Sequence, residues 1–575
     1  MSLPPASGRE WLLVLSSSLL LTTVMTWPMV PHLGSVGRFD SGDGRLSIWN
    51  IGWVDHALLT DPRHLLDANI FWPHRGTLAY SEMNLVAGVL GLPVYAATHN
   101  ALAAHNAAVL TALMLSLILT WRLVRRLTGS SGAGFVSAGL FTFCSYLWAH
   151  TAHVQLLMTF VVPLVMIAFH RVRDHPTTGR SILLGAALAT AALACGYYGV
   201  YGGILVGFAG LVFARRDAKY WMALGGAAIT AGLLVLPFVV PYMRARAATG
   251  AEPVRTDAAL QISADLQDYL TSPTILENAI LPLRWDTWPH ESLSPGIVLF
   301  VLVLIALGST GSFASSGFRD ALRPKGIRRA FGPTRRAAEP AGPLTASHVV
   351  WGYGAVTALA VWASLGPSYG LYSVLMRVVP GMSLLRAPSR MGVDVAFGLA
   401  VIGGFGARRL VVGRRWVLAL LVVVCALDRY AGWPSVEADP IPRVYRVLAT
   451  LPRGVVVDFP FPYAPNDFHH HTRAMYDSTA DWMPRVNGYS DIVPSDFREI
   501  AMPINDFPEL SAFPLMYRYQ VRYVVWQLAG YPRGTVVFDR LASRFTAAAP
   551  YLRPLVKDDD YWLYEIVGWP PEAGK

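Results

Sequence analysis

The feature that most constrains this chain is the recurrence of apolar runs long enough to cross a bilayer. A spanning helix needs roughly 20 mostly apolar residues. Such runs fall at about 11–31, 105–121, 132–149, 154–170, 181–196, 198–214, 220–242, 295–310, 348–365, 391–407 and 416–433. Only 15% of the 575 residues are charged, where a soluble domain carries about a quarter. The pattern predicts a mainly α-helical, polytopic transmembrane bundle of about eleven spans. Gly196 and Gly199 fall where a tight turn is needed, which favours a hairpin over one long tilted helix across 181–214. No small-residue cleavage signature precedes Trp27-Pro28, so the first run is expected to be a retained helix rather than a removed signal peptide.

The placement of Lys and Arg orients the spans. Arg122, Arg125 and Arg126 share one loop, Arg171, Arg173 and Arg180 the next, and Arg215, Arg216 and Lys219 a third. The 311–347 loop adds Arg319, Arg323, Lys325, Arg328, Arg329, Arg335 and Arg336, and Arg408, Arg409, Arg414 and Arg415 complete the set. The intervening short loops near 150–153 and 197 hold neither residue type. The positive-inside rule makes the basic set cytoplasmic, with the N-terminus inside and the C-terminal region outside. The net charge of +10 then belongs to the inner leaflet, and nucleic acid is not an expected partner.

The same parity makes 85–98 a re-entrant or interfacial segment. Three outer loops result, 32–104, 243–294 and 366–390, within a transmembrane domain over 1–433. From Pro434 the composition changes, and 434–575 reads as a soluble extracytoplasmic domain. There, helix-like "IPRVYRVLATL" alternates with strand-like "GVVVDFP" and "VRYVVWQL", which predicts a small α/β fold; "VNGYS" reads as a turn reaching toward the membrane cavity. Cys144, Cys195 and Cys425 all lie in apolar runs and read as packing residues, with no disulfide framework.

Several polar groups stand out against this background. In "FDSGDGRLSIWNIGW", Asp40 and Asp43 sit among Ser and Gly, and Trp49 and Trp53 follow one helical turn apart. The indoles suit a helix lying in the headgroup plane. Gly-Asp-Gly is also a turn, with Asp43 placed to cap the helix after it. Glu82 and Asn84 in "YSEMN" precede the re-entrant segment, as cavity lining or as a helix-entry cap. His150 and His153 in "AHTAHVQ" stand at i and i+3, a spacing open to a metal, to an anionic phosphate or to interfacial caps. Arg386 and Arg390 in "LLRAPSRM" lie on the outer side against the charge trend, as phosphate ligands or headgroup anchors, with Asp394 as a structural partner. The three consecutive histidines of "DFHHHTRAMYDSTAD" share no face, and a loop is expected there.

The stretches "SGDGRLSIWNIGW", "DANIFWPHRGTLAYSEMNL", "WAHTAHVQL", "LLRAPSRM" and "RVNGYSD" resemble the GT-C superfamily and a large group of bacterial membrane proteins of that type. The resemblance covers most of the chain. It implies a glycosyltransferase in the cell membrane that takes a sugar from a polyprenyl-phosphate donor and passes it, with inversion, to a glycan, lipid or protein acceptor on the external face. In such enzymes an acid early in the first outer loop takes the acceptor's proton, which matches Asp43 more closely than Asp40. Glu82, Asn84, His150 and His153 would line the substrate cavity, and Arg386 and Arg390 would stabilise the leaving phosphate. Some members use a divalent cation, and no ligand spacing here demands one. The alternative reading is a non-catalytic handler of lipid or polysaccharide, such as a flippase-like transporter or an assembly partner on the same fold. A transporter carries ionisable groups deep in its spans, whereas here they gather at the outer ends.

Overall fold

In the computed structural model, residues 5–248, 256–280, 291–309, 344–571 and 573–574 are described. The basic residues Arg319, Arg323, Lys325, Arg328, Arg329, Arg335 and Arg336, and part of the 243–294 loop, lie outside them. Most of each apolar run is helical: α1 (Gly8–Met25), α2 (Gly42–Thr60), α3 (Leu85–Thr98), α4 (Ala101–Thr128), α5 (Ser131–Thr142), α6 (Ser145–Ala149), α7 (Val161–Asp174), α8 (Thr178–Ala194), α9 (Gly196–Val212) and α10 (Ala218–Ala248). Then come α11 (Thr256–Gln261), α12 (Ile275–Ile280), α13 (Ile297–Ser309), α14 (Ala346–Ser364), α15 (Leu371–Val378), α16 (Gly392–Val411) and α17 (Arg415–Arg429). Among the described residues, four stretches have the length and apolarity to cross a membrane: Ala101–Thr128, Ser131–Ala149, Ala218–Ala248 and Pro388–Val411. The long α10 is exposed along nearly its whole surface, with Met222, Ile229 and Leu233 facing outward. In water that arrangement would be costly; in hydrocarbon it costs nothing. The chain is a multi-pass membrane protein.

The chain divides into two compact units. The first takes residues 1–31, 109–237 and 252–434, and α16 lies at its centre, packed on α5, α13 and α14. Its sequence, GVDVAFGLAVIGGFGARRLV, supplies the small residues that let helix backbones approach closely in lipid. A Cβ at Gly406 would lie 2.0 Å from the Leu302 carbonyl oxygen. Ser137 Oγ donates to the Ala400 carbonyl at 2.5 Å, and Phe141 meets Phe397 edge-on, so α5 and α16 run antiparallel.

Basic residues collect at one end of this unit. Arg125 pairs with Glu10 at 2.6 Å, Arg126 pairs with Asp174, and Arg215 donates to the Arg173 carbonyl at 2.6 Å. The chain breaks between α8 and α9 at Cys195, which is extended (φ −160°, ψ 126°). Gly199 is therefore not the turn residue. A Cβ there would sit 2.5 Å from that of Ala192, so it serves the close contact of the two helices.

The second unit takes residues 32–108, 238–251 and 435–575, so the first loop belongs with the C-terminal region. A two-stranded ribbon joins them: β1 (Val36–Gly37) pairs antiparallel with β2 (Val436–Glu437). The C-terminal sheet contains β3 (Val455–Phe459), β4 (Val521–Gln527), β5 (Leu552–Lys557) and β6 (Tyr561–Ile566) in the order β3-β4-β6-β5, with only the β3–β4 pair parallel. Its all-buried strand β3 carries the apolar run VVV, and Val456, Tyr523, Val525 and Leu563 form the core with Tyr445 and Leu448.

Three expectations change in this unit. Trp49 and Trp53 are only 2% and 6% exposed. Their indole N–H groups donate to Asn69 Oδ1 at 3.0 Å and to the Leu65 carbonyl at 2.8 Å, so they are packed in protein rather than offered to headgroups. The histidine run is helical, not a loop: a 3-10 helix over Pro465–His470 runs into an α-helix over His471–Asp477. His471 is buried with its Nε2 3.0 Å from the Pro462 carbonyl, and burial holds its pKa down at about 3. Finally, "VNGYS" is fastened to β3: Asn487 Oδ1 accepts from the Asp458 N–H at 2.8 Å, and its Nδ2 donates to the Asp458 carbonyl at 3.0 Å.

Candidate functional site

The first loop enters α2 through Ser41, whose hydroxyl accepts the Gly44 N–H at 3.0 Å. Ser41 is thus the cap, and Asp43 is left half-buried in the first turn of α2. There the unsatisfied N–H groups and the helix dipole favour a carboxylate. Arg45, in the same turn, donates to the Phe39 carbonyl at 2.9 Å and so fixes the approach to the helix. Asp40 is held differently: it is exposed and pairs with Arg38 at 3.3 Å.

Further along α2 lie polar groups facing α3. Asn50 Nδ2 donates to the Glu82 carbonyl at 3.2 Å, which ties the YSEMN stretch to α2. Asn84 occupies the residue before α3 in a left-handed conformation (φ 51°, ψ 31°), yet its side chain makes no cap. Its Oδ1 is buried with no hydrogen-bond partner, and so is Oδ1 of Asn50. One turn on, Asp55 is fully buried and, among the described residues, neither carboxylate oxygen has a hydrogen-bond partner. Burial pushes its pKa up to about 8. Nothing in the residues that neighbour Asp55 in the sequence marks a buried acid.

In the first unit, at the end opposite the basic cluster, a second group forms around a residue that sequence reasoning missed. Glu291 accepts a hydrogen bond from Ser389 Oγ at 3.0 Å, and His150 Nε2 lies 3.4 Å from its other oxygen. Burial raises its pKa, but His150, Ser389 and Arg390 outweigh this and hold the carboxyl down at about 2. Arg390 lies with its guanidinium 4.3 Å over the ring of Tyr197. The Tyr197 hydroxyl in turn accepts the Arg386 N–H at 3.3 Å, while the Arg386 side chain is exposed. Tyr201 donates to the Ala387 carbonyl at 3.0 Å, so α9 tyrosines hold both sides of the RAPSR turn.

His150 and His153 are successive corners of a turn after α6, with ring centroids 6.2 Å apart. His153 sits beside the cluster and His150 inside it. Asp394, expected to partner the arginines, instead lines an apolar crevice with Leu205, Val356 and Leu375; the acid facing Arg390 is Glu291. Glu291 comes from a loop far away in sequence, with no local spacing to reveal it. Among the described residues, no three His, Cys, Asp or Glu side chains are arranged to hold a metal ion.

No family model matches the chain, and no curated protein matches it in sequence. Solved structures do match. Archaeal oligosaccharyltransferase AglB from Archaeoglobus fulgidus, solved with an inhibitory peptide and a dolichol-phosphate, matches 95% of this chain over 73% of its own length, at 11% identity and a TM-score of 0.41. ArnT from Cupriavidus metallidurans matches 99% of this chain over 100% of its own, at 14% identity and a TM-score of 0.38. The arabinofuranosyltransferase AftD from mycobacteria matches 98% of this chain at 14% identity and a TM-score of 0.54, and the chain spans 42% of that protein's length. At such identities the likeness is one of fold, carried by AftD. Over nearly its whole length the chain is similar in fold to that GT-C glycosyltransferase.

Proposed function

We propose that this protein is a membrane glycosyltransferase that transfers a sugar from a polyprenyl-phosphate donor to an acceptor on the external face of a cell membrane. The observation that carries the reading is the convergence of His150, Ser389 and Arg390 at one end of a bundle that shares its fold with an arabinofuranosyltransferase. Two basic side chains and a hydroxyl are the donors that a phosphate oxyanion needs. A leaving polyprenyl phosphate gains negative charge as the glycosidic bond breaks, and preset donors stabilise that charge most where water is scarce. Asp43 is the base in this reading, with the acceptor proton passing to its carboxylate as the acceptor oxygen attacks the anomeric carbon. Glu82 and Asn84 in the second unit and His150 and His153 in the first are substrate-binding residues in this reading, and residues 434–575 form an external domain.

Arg390 supplies the test. Lys offers a point charge in place of a planar fork and cannot stack in the same way on Tyr197. Arg390→Lys should cut turnover by about a hundredfold or more, the scale of losing one transition-state donor. Donor affinity should change only a few-fold, because an interaction made mainly in the transition state lowers kcat rather than raising KM. Binding of the lipid-linked donor, measured beside product formation, gives both quantities. Equal losses in the two would make Arg390 a lipid recruiter, as a non-catalytic handler requires.

A further inference from the structure

We propose that Glu291 is a displaceable internal counter-anion: it occupies the donors of the phosphate site when that site is empty and competes with the lipid phosphate for them. The inference rests on reading Arg390 and its neighbours as the phosphate site.

His150 lies between two acceptors. Nδ1 lies 2.7 Å from the Tyr146 carbonyl oxygen, and Nε2 lies 3.4 Å from a Glu291 carboxylate oxygen. His150 is 5% exposed, and polar groups away from water require partners. Arg390 brings a positive charge to the same place, and a cation there requires a counter-charge. Glu291 supplies that negative charge, and Ser389 completes its hydrogen bonding.

A phosphate that approached the same donors would meet the carboxylate. Two anions sharing one site cannot both keep full charge there without a large cost, so the carboxylate gives way or the phosphate does not bind. On its C-terminal side the backbone beside Glu291 is pinned. Ser292 Oγ donates to the Thr271 carbonyl at 2.8 Å, the Leu293 N–H to the Asp268 carbonyl at 2.9 Å, and the Ser294 N–H to the Thr271 carbonyl at 3.1 Å. In the proposal, displacement is a swing of the glutamate side chain about its own torsions. The return of that side chain assists release of the polyprenyl phosphate left after transfer.

The test is binding of a short-chain polyprenyl monophosphate to the purified full chain in detergent, for wild type, Glu291→Gln, Glu291→Ala and Arg390→Gln. Removing the competing charge should tighten binding in both Glu291 variants by about tenfold or more, the order expected for one like charge near a protein surface. It should also enlarge the thermal shift produced by the lipid phosphate. In turnover, kcat and KM should fall together, because product leaves more slowly. Weaker or unchanged binding in the Glu291 variants, with binding lost in Arg390→Gln, would overturn the counter-anion and leave the phosphate site standing. Binding unchanged in all three variants would remove the phosphate site, and the inference with it. Failure of both Glu291 variants to fold would make Glu291 a structural counter-charge and overturn its displacement.

Discussion

At the scale of single residues, the chain carries acids in three different conditions. Asp40 is exposed beside Arg38, Glu291 is held ionised by its neighbours, and Asp55 is buried with nothing to offset its charge. The last has a measurable consequence. With a folded pKa pushed up to about 8 from the ordinary 3.8, Asp55 binds its proton more tightly in the native state than in the unfolded one. Below about pH 4 both states are protonated and the residue costs nothing. As pH rises from there through 8, its stabilising protonation is lost, and above 8 the full cost stands. At roughly 1.4 kcal/mol per pKa unit, Asp55→Asn should stabilise the protein by a few kcal/mol at pH 8 and leave it unchanged near pH 4. Thermal unfolding of the two proteins across that range checks the sign. A variant equally stable at both ends would show that Asp55 has a compensating partner.

At the scale of elements, the sequence reveals helices well and their partners poorly. Most of each expected apolar run is helical, and helix is how a run of apolar residues in lipid satisfies its backbone. The strands β3 and β4 were legible from VVVDF and VRYVVWQ. The role of Trp49 and Trp53 was not: two indoles one turn apart look the same whether lipid or protein covers them, and only Asn69 and the Leu65 carbonyl decide it. The same limit hid Glu291, which reaches its partners from separate segments. Asp43 and Arg390 stand out in the sequence as candidates because each sits in a short polar motif beside an apolar run. Asn487 shows what distant pairing is worth. Its amide closes both backbone groups of Asp458, so Asn487→Ala should leave a buried donor and acceptor unpaired, at about 1–3 kcal/mol each. Chemical denaturation should report a loss of that order, and a loss below about 1 kcal/mol would mean that water replaces the amide.

At the scale of the whole molecule, the account requires the basic end of the bundle to face the cytoplasm. Arg125, Arg126, Arg173 and Arg215 share that end, and His150, Glu291 and Arg390 lie at the other. A reporter active only outside the cytoplasm should be active when fused after residue 440 and silent when fused between α9 and α10. The reverse pattern would put the acid and the phosphate site on the wrong side of the membrane for an externally presented acceptor.

The central claim is that this bundle breaks a sugar–phosphate bond, and release of polyprenyl phosphate tests it most directly. The purified full chain, reconstituted in vesicles with a panel of polyprenyl-phosphate sugars and a mixed acceptor pool, should consume at least one donor. Asp43→Asn should bind that donor normally and slow its consumption by about 10²–10⁴, the usual cost of losing a positioned base. Donor consumed equally by wild type and Asp43→Asn, or by neither, would contradict the account.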